Sequence, residues 1–138
     1  MVEDQFANRV ILVVDDEERM ARFIRLNLEH DGFQVIEAFR GLQAIQALRD
    51  HMPDLVILDV MMPDLDGFGL LESVRSDPRL REIPVIIFTA GDLNETQRER
   101  LAEFSQTMLY KSSFKEEELL TSIEHVLKRL IPAASESK

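Results

Sequence analysis

Cysteine is absent from the 138 residues. Disulfides and thiolate-bound metals are therefore excluded, and the absence fits a reducing cytoplasm, the expected location. Also lacking is any apolar run near the ~18 residues that a membrane-spanning helix needs. Residues 1–9 have neither the basic start nor the apolar middle of a signal peptide. Basic residues are scarce: 16 Lys and Arg stand against 26 Asp and Glu, a net charge of −10. That balance disfavours direct binding to nucleic acid, which needs clustered cations. A DNA-directed output would have to come from another chain or a further domain. There is no close internal repeat and no low-complexity tract.

What is present is a set of short apolar runs, each ending in a reactive polar residue. Val10-Ile11-Leu12-Val13-Val14 leads into Asp15-Asp16, and Leu55-Val56-Ile57-Leu58 into Asp59. Val85-Ile86-Ile87-Phe88 leads into Thr89, and Met108-Leu109-Tyr110 into Lys111. Such runs read as strands buried on both faces, the kind found in parallel sheets. Phe33 to Glu37 reads as one further strand.

Helical spacing fills the intervals. Met20, Phe23, Ile24 and Leu28 suit one helical face, broken by Asp31-Gly32. Leu42, Ala44, Ile45 and Leu48 predict a helix that stops before Met52-Pro53. Phe68, Leu71 and Val74 predict a short third helix ended by Asp77-Pro78. Asp92 is the expected cap of a fourth, mostly polar helix through Leu101 and Phe104, loosely held at the surface. Ser113-Phe114-Lys115-Glu116 reads as a capping box. Behind it Leu119, Leu120, Ile123, Val126, Leu127 and Leu130 form the most amphipathic helix, ended by Pro132. The result is one domain of five strand–helix units, implying a parallel sheet with helices on both faces. The expected division is a leader over 1–8, the domain over 9–131 and a tail or linker over 132–138.

In open parallel sheets the site lies beyond the carboxyl ends of the strands. There Asp15, Asp16 and Asp59 would crowd together. Two carboxylates about 4 Å apart repel by about 4 kcal/mol at an effective dielectric near 20. Protonation or a cation relieves that. Oxygen ligands without His or Cys favour magnesium, which keeps open positions for phosphoryl oxygens. Asp59 is the candidate nucleophile, able to form an acyl phosphate. Lys111 would hold one phosphoryl oxygen and Thr89 would donate a hydrogen bond to another. Each residue also has a plainer reading. Asp15-Asp16 fits a helix cap, Asp59 a turn former, Thr89 a strand-end hydroxyl and Lys111 a solvated edge lysine. The coincidence at four successive strand ends favours the chemical reading.

The chain resembles the receiver domain of two-component response regulators over roughly Arg9 to Leu130. The matching pieces are Val-Asp-Asp-Glu at 14–17, Leu-Asp-Val-Met-Met-Pro-Asp-Leu-Asp-Gly at 58–67, Phe-Thr-Ala at 88–90, and Lys111. The resemblance implies a flavodoxin-like fold with strand order 2-1-3-4-5. It implies transfer to Asp59 from the phosphohistidine of a histidine kinase or phosphotransfer protein. It further implies magnesium among Asp15, Asp16, Asp59 and the Met61 carbonyl, with Asp16 and Asp59 the direct carboxylate ligands. Thr89 and Lys111 would sense and hold the phosphoryl group. By this likeness the domain is a phosphoacceptor switch and not an enzyme, beyond taking part in its own phosphoryl transfer and slow dephosphorylation. Its output surface is the fourth helix, fifth strand and fifth helix, acting on a protein target or an output domain, with a phosphorylation-dependent homodimer left open.

The last third departs from the family pattern. Ser112 follows Lys111 where proline is usual, and a cis bond there would cost about 2.5–4 kcal/mol without proline. Met108 replaces the usual aromatic residue three positions before the lysine, with Tyr110 as a candidate substitute. This segment is similar to receivers attached to hybrid histidine kinases. Rival readings fare worse. A phosphohydrolase of the haloacid dehalogenase type needs an Asp two residues after its nucleophile, where Met61 stands. A calcium loop around Asp64 to Gly67 would put Met62 and Ser73 at ligand positions, so it fails. The remaining alternative is a receiver-like interaction module that works without phosphorylation. Such modules usually lose a pocket residue, and here Asp15, Asp16, Asp59, Thr89 and Lys111 are all present.

Overall fold

The continuous apolar runs become the interior of a sheet. In the computed structural model, which describes residues 6–62, 67–90, 93–104, 107–112 and 115–130, the strands are β1 (Val10–Val14), β2 (Gln34–Ala38), β3 (Leu55–Leu58), β4 (Val85–Thr89) and β5 (Thr107–Tyr110). They pair in parallel in the order β2-β1-β3-β4-β5. This is the doubly wound, flavodoxin-like order, and it reverses direction between β1 and β3. Alternate strand residues face opposite layers. Ile11, Val13, Leu55, Ile57, Ile86 and Phe88 pack with buried residues of α1 (Glu18–His30) and α5 (Glu116–Leu130). Leu12, Val14, Val56, Leu58 and Ile87 pack toward α2 (Gly41–His51), α3 (Gly67–Ser76) and α4 (Glu95–Phe104). Among the described residues, no helix is long and apolar enough to cross a membrane.

The break at Asp31-Gly32 has a full structural cause. Phe33 N–H donates to the Leu28 carbonyl and Gly32 N–H to that of Glu29, the paired bonds of a Schellman cap. Gly32 takes a positive φ of 109°, which a side chain would resist. Phe33 and Leu28, the residues such a cap brings together, are both buried in the α1–α5 layer. Met52 ends α2 in the same left-handed region, ahead of Pro53.

Several expectations need correction. Phe23 and Leu42 do not face the core; they are 41% and 68% exposed. The buried stripes are Ala21, Ile24 and Leu28 on α1 and Gly41, Ala44 and Leu48 on α2. Phe23 and Leu42 each lie about 100° around the helix from such a stripe. β5 is only half-buried because it closes the sheet edge, so it is not covered on both faces. The stretch before Arg9 is not wholly a leader, since Phe6 is buried in the α1–α5 layer.

Asp92, the expected cap of α4, lies outside the described residues. The helix is capped instead by Asn94 and Gln97, which each accept the other's backbone N–H at 2.8–2.9 Å. Ser113 and Phe114 also lie outside the described residues. At the start of α5, Glu118 accepts the Lys115 N–H at 2.8 Å. The tail over 132–138 likewise falls outside the described residues.

Candidate functional site

Register brings the site together. Val14 and Leu58 are partners across β1 and β3, so Asp15 and Asp59 follow side by side. Backbone bonds hold both: Asp15 N–H donates to the Ala38 carbonyl and Asp59 N–H to that of Val14. Thr89 ends β4 opposite Tyr110, and Lys111 N–H donates to the Thr89 carbonyl at 2.8 Å. Four strand ends thus deliver their polar residues to one edge.

Asp59 is 5% exposed and fully engaged. Its Oδ1 accepts from the Met61 N–H at 2.9 Å and from the Thr89 hydroxyl at 3.1 Å. Its Oδ2 accepts from the Lys111 ammonium at 2.9 Å. The same ammonium donates to Asp15 Oδ1 at 3.0 Å and to Glu17 Oε1 at 2.6 Å. Asp15 Oδ1 also accepts the Glu17 backbone N–H. Asp15 Oδ2 lies 2.8 Å from the ammonium, yet it is buried and out of line for a hydrogen bond.

One lysine therefore faces three carboxylates, of Asp15, Glu17 and Asp59. Burial pushes the Asp15 carboxyl up to about 6, with its hydrogen bonds to Lys111 and Glu17 pulling the other way. Lys111 moves upward from the ordinary lysine value. Burial is the largest single influence and opposes the shift, but hydrogen bonds to Asp15, Glu17 and Asp59 together outweigh it.

Asp15, Asp16 and Asp59 can place one oxygen each within 4.8 Å of one another. Asp16 is exposed and has no partner among the described residues. An all-oxygen set with surplus negative charge and a misaligned buried oxygen suits a hard divalent cation. Met61, half exposed, belongs to the same turn as Asp59. Gly67 opens α3 against that turn. A Cβ there would stand 2.6 Å from Val60 Cα, so the glycine lets the helix start close behind the Asp59 segment.

Asp15, Asp16, Asp59, Lys111 and the fully buried Thr89 converge here, and Met61 joins them through its backbone N–H. Glu17 went unnoticed because an acid at a helix start reads as a dipole complement. The signal that would have exposed it is its place two residues beyond Asp15, at the same sheet edge as Lys111. At the departures from pattern, Met108 packs against the α2–α4 layer and Tyr110 shares its side of the pleat. Among the described residues no peptide bond is cis, so Lys111 joins Ser112 in trans.

Comparison with known proteins agrees with this geometry. Residues 11–124 match the family model of the response regulator receiver domain. The phosphate regulon regulatory protein PhoB of Rhizobium meliloti is 37% identical over 123 residues, covering 88% of this chain and 53% of PhoB. The transcriptional regulatory protein GltR of Pseudomonas aeruginosa is 38% identical over 121 residues, covering 88% and 50%. The chain thus spans about half the length of these curated relatives. Among solved structures, the receiver domain of the Francisella response regulator 1452 superposes with a TM-score of 0.78 at 34% identity, covering 88% of this chain and 98% of that one. A CheY-like receiver domain protein from Methanospirillum hungatei, 20% identical, shares the fold with a TM-score of 0.82 over 90% and 97%. The chain belongs to the receiver-domain family of two-component response regulators.

Proposed function

We propose that the domain is a phosphorylation-dependent switch acting in the cytoplasm, with Asp59 the phosphoacceptor. The observation that carries this reading is the pocket in which Asp59 accepts from Lys111 at 2.9 Å and from Thr89 at 3.1 Å, with Asp15 held on the same ammonium at 3.0 Å. A carboxylate oxygen of Asp59 attacks the phosphorus of a phosphohistidine on a histidine kinase or phosphotransfer protein. The P–O bond forms as the P–N bond breaks, and the electron pair leaves with the imidazole nitrogen. No general base is required, because a carboxylate nucleophile has no proton to remove. Lys111 and Thr89 are placed to receive phosphoryl oxygens. Magnesium held by Asp15, Asp16, Asp59 and the Met61 carbonyl would neutralise charge on the transferring group. Apart from its own phosphorylation and slow dephosphorylation, the domain performs no catalysis.

The output follows from where the pocket residues lead. Phosphorylation adds charge and acceptor oxygens beside Thr89, the last residue before the connection to α4. Drawing its hydroxyl inward re-sets α4, β5 and α5, and so alters affinity for a protein target or an output domain. The test is labelling by a small phosphodonor with magnesium. Asp59→Asn abolishes incorporation and Asp4→Asn leaves it intact. Label retained by Asp59→Asn defeats the assignment.

A further inference from the structure

Every hydrogen of the Lys111 ammonium is committed, one each to Asp15, Asp59 and Glu17. If a phosphoryl group on Asp59 is to meet that ammonium, one acceptor has to leave. The three are not equivalent. The side chains of Asp15 and Asp59 are 2% and 6% exposed, whereas that of Glu17 is 61% exposed. A buried carboxylate stripped of its cation finds no water in replacement. An exposed one turns to solvent at little cost.

We infer that Glu17 is the exchangeable partner of Lys111: it holds the ammonium at the mouth of the pocket at rest and yields its hydrogen to a phosphoryl oxygen when Asp59 is modified. Glu17 is thus a positioning residue that sets how readily the site accepts a phosphoryl group. The inference rests on the function proposed above.

A merely structural role fits poorly. Glu17 occupies the N-cap position of α1, yet its side chain makes no capping hydrogen bond. Its backbone N–H orders Asp15, while its carboxylate reaches 94 residues along the chain to Lys111. In the unmodified pocket without metal the buried acids fix where the ammonium sits, and Glu17 alone among its partners can turn to water.

The experiment titrates beryllofluoride, a tetrahedral phosphoryl mimic, into the full chain at saturating magnesium, read by fluorine NMR. Glu17→Gln binds the mimic about fivefold more tightly, the scale of one exposed ion pair released from competition. Glu18→Gln, the same charge loss one residue along, stays within about twofold of wild type. A second readout needs neither metal nor mimic: hydrogen exchange of the Lys111 ammonium rises in Glu17→Gln, because one N–H now faces water. Unchanged or weaker mimic binding in Glu17→Gln would overturn the inference, as would equal tightening in Glu18→Gln or unaltered ammonium exchange. Wild type failing to bind the mimic at all would bring down the proposed function itself.

Discussion

Asp15, Asp59 and Thr89 stand at the ends of strands of one kind, and Lys111 at the end of a strand of another. β1, β3 and β4 are buried at all but one position, whereas β5 is half-buried throughout. The helices divide in the same way. α5 covers the sheet with Leu119, Ile123, Val126 and Leu127, while among the described side chains of α4 only Leu101 is buried. The pocket thus joins a fixed wall, carrying Asp15, Asp59 and Thr89, to a wall that leads into weakly anchored structure. A switch needs both. The chemistry demands placement to a fraction of an ångström, and the signal demands an element that moves at low cost.

The contrast is tested most strongly in the core. Ile57→Ala on β3 empties a fully packed site and should cost about 2–5 kcal/mol, lowering Tm by roughly 10 °C or more. Met108→Ala on β5, where the side chain is half-covered, should cost about half as much. Thermal unfolding of the two variants side by side decides it. Equal losses would show that β5 is as firmly held as the interior strands, and the two-wall description would fail.

Next comes pH, which probes the fixed wall. The Asp15 carboxyl is raised to about 6 in the folded chain against 3.8 for the free group. The unfolded chain therefore releases this proton first. Any stability linked to it is present below about pH 4 and is lost as pH rises through about 6, at most about 3 kcal/mol. Asp15→Asn removes the penalty, so without magnesium its Tm should gain on wild type as pH rises from 4 to 8. Saturating magnesium should close the gap by stabilising wild type alone. A wild-type-to-variant difference that is flat with pH would mean that Lys111 neutralises Asp15 completely.

Sequence made the strands and their polar ends readable and left details of packing obscure, for physical reasons. Strands covered on both faces leave unbroken apolar runs, so β1, β3 and β4 and their terminal Asp, Asp and Thr stand out without any structure. Phe6 does not, because one core residue ahead of a strand has no periodicity to announce it. Phe23 and Leu42 misled because an apolar residue one step off the buried stripe still satisfies a loose helical pattern. At α4 both Asp92 and Asn94 read as good caps, and the reciprocal bonds with Gln97 that mark Asn94 are not visible in spacing alone. Glu17 escaped because an acid at a helix start has a ready reading as a dipole complement, while its partner Lys111 lies 94 residues away.

The smallest expected effect sharpens the account of the movable wall. α4 is polar, and part of what ties it to α3 is at the surface. The Arg100 guanidinium sits 4.9 Å above the Phe68 ring and 2.7 Å from Glu72 Oε2, with both charged side chains about half exposed. An exposed cation–π contact and a surface ion pair are each worth at most about 1 kcal/mol. Arg100→Ala should therefore leave global Tm within about 2–3 °C of wild type while amide exchange across Glu95–Phe104 quickens severalfold. Exchange in β1 and β3 should not change. If α4 exchange is also unchanged, Leu101 and its core neighbours hold the helix without help from Arg100. The weak anchoring would then lie in the connection that follows Thr89, not in the contact between the two helices.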